Sequence, residues 1–259
     1  MTRRRWVVSD LDGTLMDHHY NWSAAATTIQ SLQQQGIPLI PCTSKTAEEV
    51  REFRTTAGLS DPFIVENGGA IHGSHSDGTE WTLALGSPHH ELRPQLDQLA
   101  AALGDDLRAL EDLSPAEGTA LTGLQGPDLA RAQRRQWSVP FLSPSQELRE
   151  RLRQLAAEQQ LLIVEGNRMS HLLDQRSHKG KALQALKLHL GSSDVEVLGL
   201  GDSPNDLPLL EAADQAVVVP GRTGPHPVFA EAIASGRFAL APAPHAEGWA
   251  LAVEHWLQH

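Results

Sequence analysis

Two aspartates stand two positions apart, directly after a short apolar segment. Residues 6–9 contain a tryptophan and two valines, which predicts a buried strand leading into Asp10 and Asp12. Side chains at i and i+2 of a strand point the same way, so both carboxylates could face one point in space. A cation between them relieves their repulsion, and Mg²⁺ prefers such hard oxygen ligands. The alternative is a simple Asx turn, since Asp12 is followed by Gly13.

A second pair of carboxylates follows another predicted strand. Residues 195–200 are mainly apolar, and Asp202 and Asp206 occupy the glycine-containing turn that comes next. Asp206 lies about one helical turn beyond Asp202. Its side chain is therefore placed either to brace the site or to contact an ion there.

Hydroxyl and cationic side chains mark two predicted helix starts. Thr43 and Ser44 come where a strand at 37–42 gives way to a helix, and Lys45 adds a positive charge beside them. A helix N-terminus offers free backbone N–H groups and a positive dipole, which suits a phosphate. The alternative is that Thr43 or Ser44 only caps the helix. Lys179 opens a later helix, where the alternative is an ordinary exposed lysine.

The elements that must position these residues alternate between strands and helices. The predicted strands are 6–9, 37–42, 63–65, 195–200 and 215–219, and the predicted helices are 23–35, 43–56 and 178–190. Alternation of this kind predicts an α/β fold with a mainly parallel sheet and right-handed crossovers. Glu66, Asn67 and Gly68 follow the third strand, and Asn-Gly predicts a tight turn there.

The pattern changes between residues 85 and 173. We predict helices up to 103 and at 126–135 and 145–159, with short strands at 137–142, 161–164 and 170–173. This describes an α+β unit inserted into the α/β core. The expected division is a core formed by residues 1–84 and 174–259 and a separate domain at 85–173.

Composition limits the partners and the compartment. The chain has 259 residues and a net charge of −11, which argues against a nucleic-acid or membrane-surface partner. No apolar run approaches the roughly 20 residues of a membrane span. The single cysteine, Cys42, cannot form an internal disulfide and suits a reducing compartment. The basic N-terminus leads directly into a strand rather than a signal-peptide core, so we expect a cytoplasmic protein.

Four elements together resemble the haloacid dehalogenase superfamily of phosphohydrolases. They are the string Asp10-Leu11-Asp12-Gly13-Thr14-Leu15, Thr43, Lys179 and the turn from Gly201 to Asp206. The resemblance implies a Rossmann-like core, and the insertion resembles the type-2 cap of the Cof-like branch. It implies Asp10 as the nucleophile and Asp12 as the general acid and base, with Thr43 and Lys179 as their catalytic partners. The implied ligands of Mg²⁺ are Asp10, Asp12 (through its backbone carbonyl), Asp202 and Asp206.

Further strings resemble the mannosyl-3-phosphoglycerate phosphatase family. They are Asp17-His18, residues 43–46, 64–68 and 199–202, Asn205-Asp206, Glu247-Gly248-Trp249, Arg135-Gln136, residues 166–168 and His171. The substrate-binding residues that the resemblance implies are Ser44, Lys45, Glu66, Asn67, Gly68, Arg135, Arg168, His171 and Asn205. The implied substrate is a small phosphorylated sugar-glycerate. Arg135 and Arg168 are the candidates to bind its carboxylate, because arginine offers a planar bidentate fork.

Three alternatives remain open at this point. One is a phosphatase for a different sugar phosphate, since Met169 and Ser170 stand where members of that family tend to carry aromatic residues. Another is a phosphomutase, which shares the Asp-x-Asp site but transfers the phosphoryl group to a sugar. The third is a non-catalytic metabolite-binding protein, which would be expected to have lost Asp10 or Asp12. The oligomeric state is undetermined.

Overall fold

The computed structural model of the protein describes residues 4–166 and 168–259. Asn167, a member of the string 166–168 named above, lies outside the described residues. The strands are β1 Arg5–Ser9, β2 Leu39–Pro41, β3 Phe63–Val65, β4 Ala70–Ser74, β5 Glu80–Ala84, β6 Val139–Phe141, β7 Leu161–Glu165, β8 Ser170–Asp174, β9 Glu196–Gly201, β10 Gln215–Val218 and β11 Ala239–Leu240. The helices are α1 Ala26–Gln34, α2 Ala47–Ala57, α3 His89–Leu103, α4 Pro115–Thr122, α5 Gly126–Gln133, α6 Gln146–Glu158, α7 Lys179–His189, α8 Leu207–Ala212, α9 Ala230–Ala234 and α10 His245–Leu257.

Five parallel strands form the central sheet, in the order β11-β10-β9-β1-β2. Val7 of β1 packs into the hydrophobic cluster on one face, and Trp6 and Val8 pack into the cluster on the other. Burial on both faces explains why β1 reads as a continuous apolar run. The predicted α/β architecture with a mainly parallel sheet is confirmed.

The order of the strands creates a crevice at one edge of this sheet. From β1 the chain crosses to β2 on one side, while β9 pairs with β1 on the other side. Parallel strands that diverge in this way leave a gap at their carboxyl ends, where ligands commonly bind. The residues that follow β1, β2 and β9 therefore meet at one place.

The third predicted strand has the expected bounds but a different partner. β3 pairs antiparallel with β4, and β4 with β5, in a separate three-stranded sheet. One bridge between Cys42 and Ile64 connects β3 to the end of β2. The predicted turn after β3 is a 3₁₀ turn at Glu66–Gly68, in which all three residues have positive φ.

The helix that we predicted to start at residue 43 starts four residues later. α2 begins at Ala47, and its N-cap is Thr46, whose hydroxyl accepts from the Glu49 amide while the Glu49 carboxylate accepts from the Thr46 amide. The alternative in which Thr43 or Ser44 caps the helix is therefore wrong, because this reciprocal capping box fixes the start. Thr43 and Ser44 lie in the loop between β2 and α2.

The chain between β5 and α7 forms its own layered unit. The sheet β6-β8-β7 is antiparallel, and apolar side chains of α3 and α6 pack against it, including Leu92, Leu96 and Leu152. Its helix α4 was not predicted, although Ser114 and Glu117 form a capping box at its start. No helix in the described ranges is long and apolar enough to cross a membrane.

Candidate active site

Asp10 lies at the centre of the crevice, directly after β1. Its amide donates to the Leu200 carbonyl of β9 at 3.0 Å. Its carbonyl accepts from Ser9 Oγ at 2.6 Å, and Ser9 Oγ in turn accepts from Trp249 Nε1 at 2.9 Å. These bonds fix the backbone of Asp10 on both sides. The Glu247-Gly248-Trp249 string thus contributes a buried tryptophan behind the strand that carries Asp10.

Three carboxylates and one ammonium group form a cluster at this point. Ligand oxygens of Asp10, Asp202 and Asp206 all lie within 4.8 Å of one another. Lys179 Nζ, fully buried, is 2.7 Å from Asp10 Oδ1 and 2.5 Å from Asp206 Oδ1. One lysine balances only one of three negative charges. The donor set therefore fits a divalent cation, for which carboxylate oxygens are suitable ligands.

The pKa values of the cluster show the same imbalance. Burial raises the pKa of Asp10 well above its usual value, and Asp206 and Asp202 raise it further, whereas Lys179 lowers it. Burial lowers the pKa of Lys179, but Asp10 and Asp206 outweigh it and raise that pKa overall. Additional positive charge at the cluster would favour the ionised form of Asp10.

Asp206 braces the loop that carries Asp202. Its Oδ2 accepts from the amides of Asp202 and Ser203 at 2.9 and 3.0 Å, and its Oδ1 accepts from Lys179. Both oxygens are thus engaged by the protein, which favours the bracing alternative of the two that the sequence left open.

Asp202 is held in place by the loop that follows Asp12. Thr14 Oγ1 donates to Asp202 Oδ1 at 2.8 Å. Gly13 has φ +92°, and a Cβ atom there would lie 2.5 Å from Asp202 Oδ2. The site therefore requires glycine at this position, both for its backbone conformation and for the close approach of the carboxylate.

Asp12 lies outside the carboxylate cluster. Its side chain lines the same cavity as Asp10, and its Oδ2 is 2.9 Å from Lys45 Nζ. Lys45 Nζ is also 3.6 Å from Glu49 Oε1. Burial lowers the pKa of Lys45, but Asp12 and Glu49 raise it overall, so the ammonium keeps its charge.

The residues after β2 are placed in two different ways. Thr43 is fully buried, its amide donates to the Ile64 carbonyl at 3.1 Å, and its Oγ1 accepts from the Lys45 amide at 3.3 Å. The Thr43 amide is thus already used and is not free for a phosphate. Ser44 lines the cavity next to Lys45.

The turn after β3 supports the site from behind. The buried Glu66 carboxylate accepts from the Gln136 amide, the Trp137 amide and Ser138 Oγ, at 2.9, 3.0 and 2.6 Å. It therefore connects the core to the inserted unit and does not line the cavity in the described ranges. A Cβ on Gly68 would lie 2.6 Å from the His178 backbone, next to Lys179.

Asn67 and Asn205 form a pair that links two loops. Asn205 Nδ2 donates to Asn67 Oδ1 at 2.9 Å, and Asn205 Oδ1 accepts from Ser203 Oγ at 2.5 Å. Asn205 lines the cavity, whereas Asn67 lies behind it with a buried Nδ2 that has no described hydrogen-bond partner. Of the nine predicted substrate-binding residues, the cavity is lined by Ser44, Lys45, Arg135, Arg168, His171 and Asn205.

The inserted unit contributes two arginines to the cavity wall. Arg135 donates to the Ser44 carbonyl at 2.6 Å and to the Ala132 carbonyl at 2.6 Å. Arg168 donates to the Thr122 carbonyl, to Tyr20 Oη at 3.0 Å and to the His18 carbonyl at 3.4 Å. Both side chains thus cross the boundary between the core and the inserted unit.

His171 projects from β8 into the cavity wall. It is buried, and its Nδ1 has no hydrogen-bond partner among the described residues. Burial lowers its pKa to about 3, with smaller contributions from Arg135 and Lys179. The imidazole is therefore neutral at pH 7.

Several supporting residues were not identified from the sequence. Thr14 holds Asp202, Tyr20 donates to the Thr122 carbonyl at 3.0 Å, and His245 Nδ1 lies 2.8 Å from the Gly13 carbonyl. Thr14 stands inside the string that begins at Asp10, which was a usable signal. The contacts of Tyr20 and His245 join positions more than 100 residues apart, so local patterns do not reveal them.

Known proteins match both the sequence and the fold. The haloacid dehalogenase-like hydrolase family matches residues 7–84 and 142–222. A glucosyl-3-phosphoglycerate/mannosyl-3-phosphoglycerate phosphatase from Persephonella marina is 29% identical over an alignment of 228 residues, and the alignment covers 83% of this chain and 84% of that protein.

Two solved structures show the same fold over nearly the whole chain. A Thermoplasma acidophilum protein superposes with a TM-score of 0.75 at 19% identity and covers 99% of this chain and 100% of its own. The sucrose-phosphatase of Synechocystis sp. PCC6803, solved with sucrose and phosphate, has a TM-score of 0.63 at 23% identity and covers 98% of both chains. More than half of the chain matches the family, with Asp10, Asp12 and Asp202 inside the matched ranges, and the chain therefore belongs to the haloacid dehalogenase-like hydrolases.

Proposed function

We propose that the protein is a Mg²⁺-dependent phosphatase that hydrolyses a glycosyl-3-phosphoglycerate, with the mannosyl compound as its substrate. The observation that carries the proposal is the position of Asp10. Its carboxylate lies 2.7 Å from Lys179 Nζ and within 4.8 Å of ligand oxygens of Asp202 and Asp206, and Asp10 also lines a cavity to which the inserted unit contributes. A buried nucleophile beside a cation site, facing an enclosed cavity, suits attack on a phosphate ester.

The first half of the reaction uses two aspartates. The Asp10 carboxylate attacks phosphorus, a bond forms between Asp10 and phosphorus, and the bond from phosphorus to the sugar-glycerate oxygen breaks. Asp12 gives its proton to the departing oxygen. Lys179 neutralises part of the charge that collects around Asp10. The free alcohol, a glycosylglycerate, leaves the cavity.

The second half restores both side chains. The Asp12 carboxylate takes a proton from a water molecule as its oxygen attacks phosphorus, and the bond between Asp10 and phosphorus breaks. Inorganic phosphate is released. Asp10 is again a carboxylate, and Asp12 is again protonated for the next substrate.

The cation would be held by Asp10 and Asp202, with Asp206 as a brace and the Asp12 backbone carbonyl as a further oxygen. When bound, it supplies positive charge to the phosphoryl oxygens and offsets their repulsion from the carboxylates. Thr43 follows Cys42, whose amide donates to the Ser9 carbonyl just before Asp10, and we propose the Thr43 hydroxyl as a hydrogen-bond donor to the phosphate.

The substrate class rests on the cavity and on the relative from Persephonella marina. Arg135 and Arg168 place two guanidinium groups in the cavity wall, where a glyceryl carboxylate would need positive charge. His171 and Asn205 offer neutral polar groups suited to sugar hydroxyls. A single buried cysteine suits a reducing compartment, and we place the protein in the cytoplasm.

A substrate panel scored by phosphate release tests the proposal. It contains mannosyl-3-phosphoglycerate, glucosyl-3-phosphoglycerate, sucrose phosphate, simple hexose phosphates and an aryl phosphate. We expect the highest kcat/KM for mannosyl-3-phosphoglycerate. A higher value for a hexose phosphate would overturn the substrate assignment, and an isomeric sugar phosphate formed without inorganic phosphate would indicate a mutase.

A further inference from the structure

Lys45 stands in the cavity wall beside two carboxylates and an aromatic ring. Its Nζ lies 2.9 Å from Asp12 Oδ2, 3.6 Å from Glu49 Oε1 and 4.4 Å from the centroid of the Tyr20 ring. The side chain is buried. Of these neighbours only Asp12 Oδ2 is within hydrogen-bond distance, and Glu49 and the Tyr20 ring add longer-range attraction to the ammonium. The short contact of the Lys45 ammonium is thus with Asp12.

Glu49 is itself held rigidly, so Lys45 has a fixed anchor. The Glu49 Oε2 accepts from the Thr46 amide at 2.8 Å and from Thr46 Oγ1 at 2.9 Å, which ties the side chain to the first turn of α2. Arg135 approaches the same oxygen to 4.0 Å from the inserted unit. The first turn of α2 thus fixes Glu49, and Glu49 helps to fix Lys45. Lys45 in turn holds the side chain of Asp12.

Among the described residues, the ion pair with Lys45 is the polar contact that holds the Asp12 side chain. Its Oδ2 lies 2.9 Å from Lys45 Nζ, and its buried Oδ1 has no hydrogen-bond partner in the described ranges. Asp10, in contrast, is held by the backbone and by Lys179. Removal of Lys45 would therefore leave the Asp12 side chain free to rotate away from the cavity, while Asp10 stays in place.

We propose that Lys45 is a positioning residue, which holds Asp12 where it can protonate the leaving oxygen, and that Lys45 does not bind the phosphate. The inference rests on the proposed role of Asp12 as general acid. It replaces the substrate-binding role that the resemblance implied for Lys45.

The test is the dependence of kcat/KM on the leaving group, measured with substituted phenyl phosphates. These rates report the steps up to the first phosphoryl transfer. A phenolate with strongly withdrawing substituents leaves without protonation, whereas unsubstituted phenolate needs a proton from Asp12. We expect Lys45→Met to lose at least about tenfold more on phenyl phosphate than on dinitrophenyl phosphate, which corresponds to about 1.4 kcal/mol.

Two further variants keep the test decisive if Lys45→Met unfolds. Lys45→Arg keeps the charge and should restore most of the phenyl phosphate activity. Glu49→Gln keeps the cap on α2 but removes the charge that attracts Lys45. It should therefore also lose more kcat/KM on phenyl phosphate than on dinitrophenyl phosphate. Lys181→Met, at an exposed position of α7, serves as the matched control and should leave the dependence unchanged.

Uniform loss across the series would overturn the proposal. If that loss came with weaker inhibition by inorganic phosphate, Lys45 would be a phosphate ligand. If the uniform loss came with a lower Tm in both Lys45→Met and Lys45→Arg, Lys45 would have only a structural role. Failure of the proposed function would look different. In that case Asp10→Asn would still turn over the phenyl phosphates at the rate of the parent enzyme.

Discussion

At the scale of single residues, Gly13 shows how closely the loops after β1 and β9 approach each other. Its φ is +92°, and a Cβ added at this position would lie only 2.5 Å from Asp202 Oδ2, so both features exclude a side chain. Gly36, at the end of α1, also has positive φ but has no atom within 4 Å of the same added Cβ. Alanine at Gly36 would therefore strain only the backbone, whereas alanine at Gly13 would strain the backbone and also displace Asp202.

We predict that Gly13→Ala and Gly36→Ala both lower the free energy of unfolding by about 1–2 kcal/mol, the cost of a left-handed alanine. Only Gly13→Ala should also lose activity, by at least about tenfold, because Asp202 must move. Urea unfolding and steady-state kinetics on the same preparations check both parts. Equal activity in the two variants would mean that the position of Asp202 is not critical.

His171 gives a prediction for stability against pH. Its pKa falls to about 3 on folding, so between that value and the ordinary pKa of about 6.5 the unfolded chain binds one more proton than the native protein. Stability therefore falls as the pH drops below about 6.5. Protonation linked to His171 lowers the free energy of unfolding at pH 5 by about 2 kcal/mol relative to pH 7.5.

We expect His171→Gln to reduce the difference in unfolding free energy between pH 7.5 and pH 5 by about that amount. Urea titrations at the two pH values measure it. His90→Gln is the control, since the His90 side chain is 80% exposed. An unchanged pH difference in the His171 variant would show that this imidazole is not the group that resists protonation.

At the scale of elements, the turn after β3 connects the two parts of the chain. The Glu66 carboxylate accepts three hydrogen bonds from residues 136–138, and glutamine would replace one oxygen by a donor that faces N–H or O–H groups. We predict that Glu66→Gln costs about 1.5–3 kcal/mol of unfolding free energy.

The matched control is Glu80→Gln, which removes an exposed charge that pairs with Arg51. Exposed pairs contribute about 0–1 kcal/mol, so this variant should remain close to the parent. Equal unfolding curves for the two variants would show that Glu66 does not stabilise the junction.

The same scale shows what sequence patterns can and cannot predict. The strand before Asp10 and the loop after it are specified locally, by an apolar run and by Gly13, and they were predicted. The start of α2 was placed four residues early, because Thr43 and Thr46 are both plausible caps and only Glu49 decides between them. The roles of Tyr20, Trp249 and His245 come from distant contacts that no local pattern encodes.

Arg168 illustrates the same limit. The sequence indicated a guanidinium near the cavity, and the structure places it there. Its bonds to the Thr122 and His18 carbonyls could not be foreseen, since they depend on how the inserted unit closes on the core.

At the scale of the whole molecule, the proposed function requires an acidic protein to attract an anionic substrate. The net charge is −11, and the cluster at Asp10 adds three carboxylates against one lysine. A bound divalent cation would offset the negative charge of this cluster at the point where a phosphate would bind. Both activity and stability should therefore depend on the metal.

We predict that excess chelator abolishes phosphate release and that added Mg²⁺ restores it. Mg²⁺ at one hundred times its Kd should stabilise the parent by about 2.7 kcal/mol, visible as a higher Tm. Asp202→Asn should lose most of this increase. Full activity in excess chelator would contradict the metal dependence, whatever the effect on Tm.

The central claim is that the phosphoryl group passes through Asp10. Asp12→Asn should trap it there, because dinitrophenyl phosphate needs no acid for the first step while the second step lacks its base. The measurement is acid quenching of this variant during turnover, followed by mass spectrometry of the tryptic peptide from Trp6 to Lys45. We expect the added mass of one phosphoryl group, located on Asp10 and absent when Asp10→Asn is added. A phosphoryl group on another residue, or an unlabelled peptide from a variant that still consumes substrate, would contradict the claim.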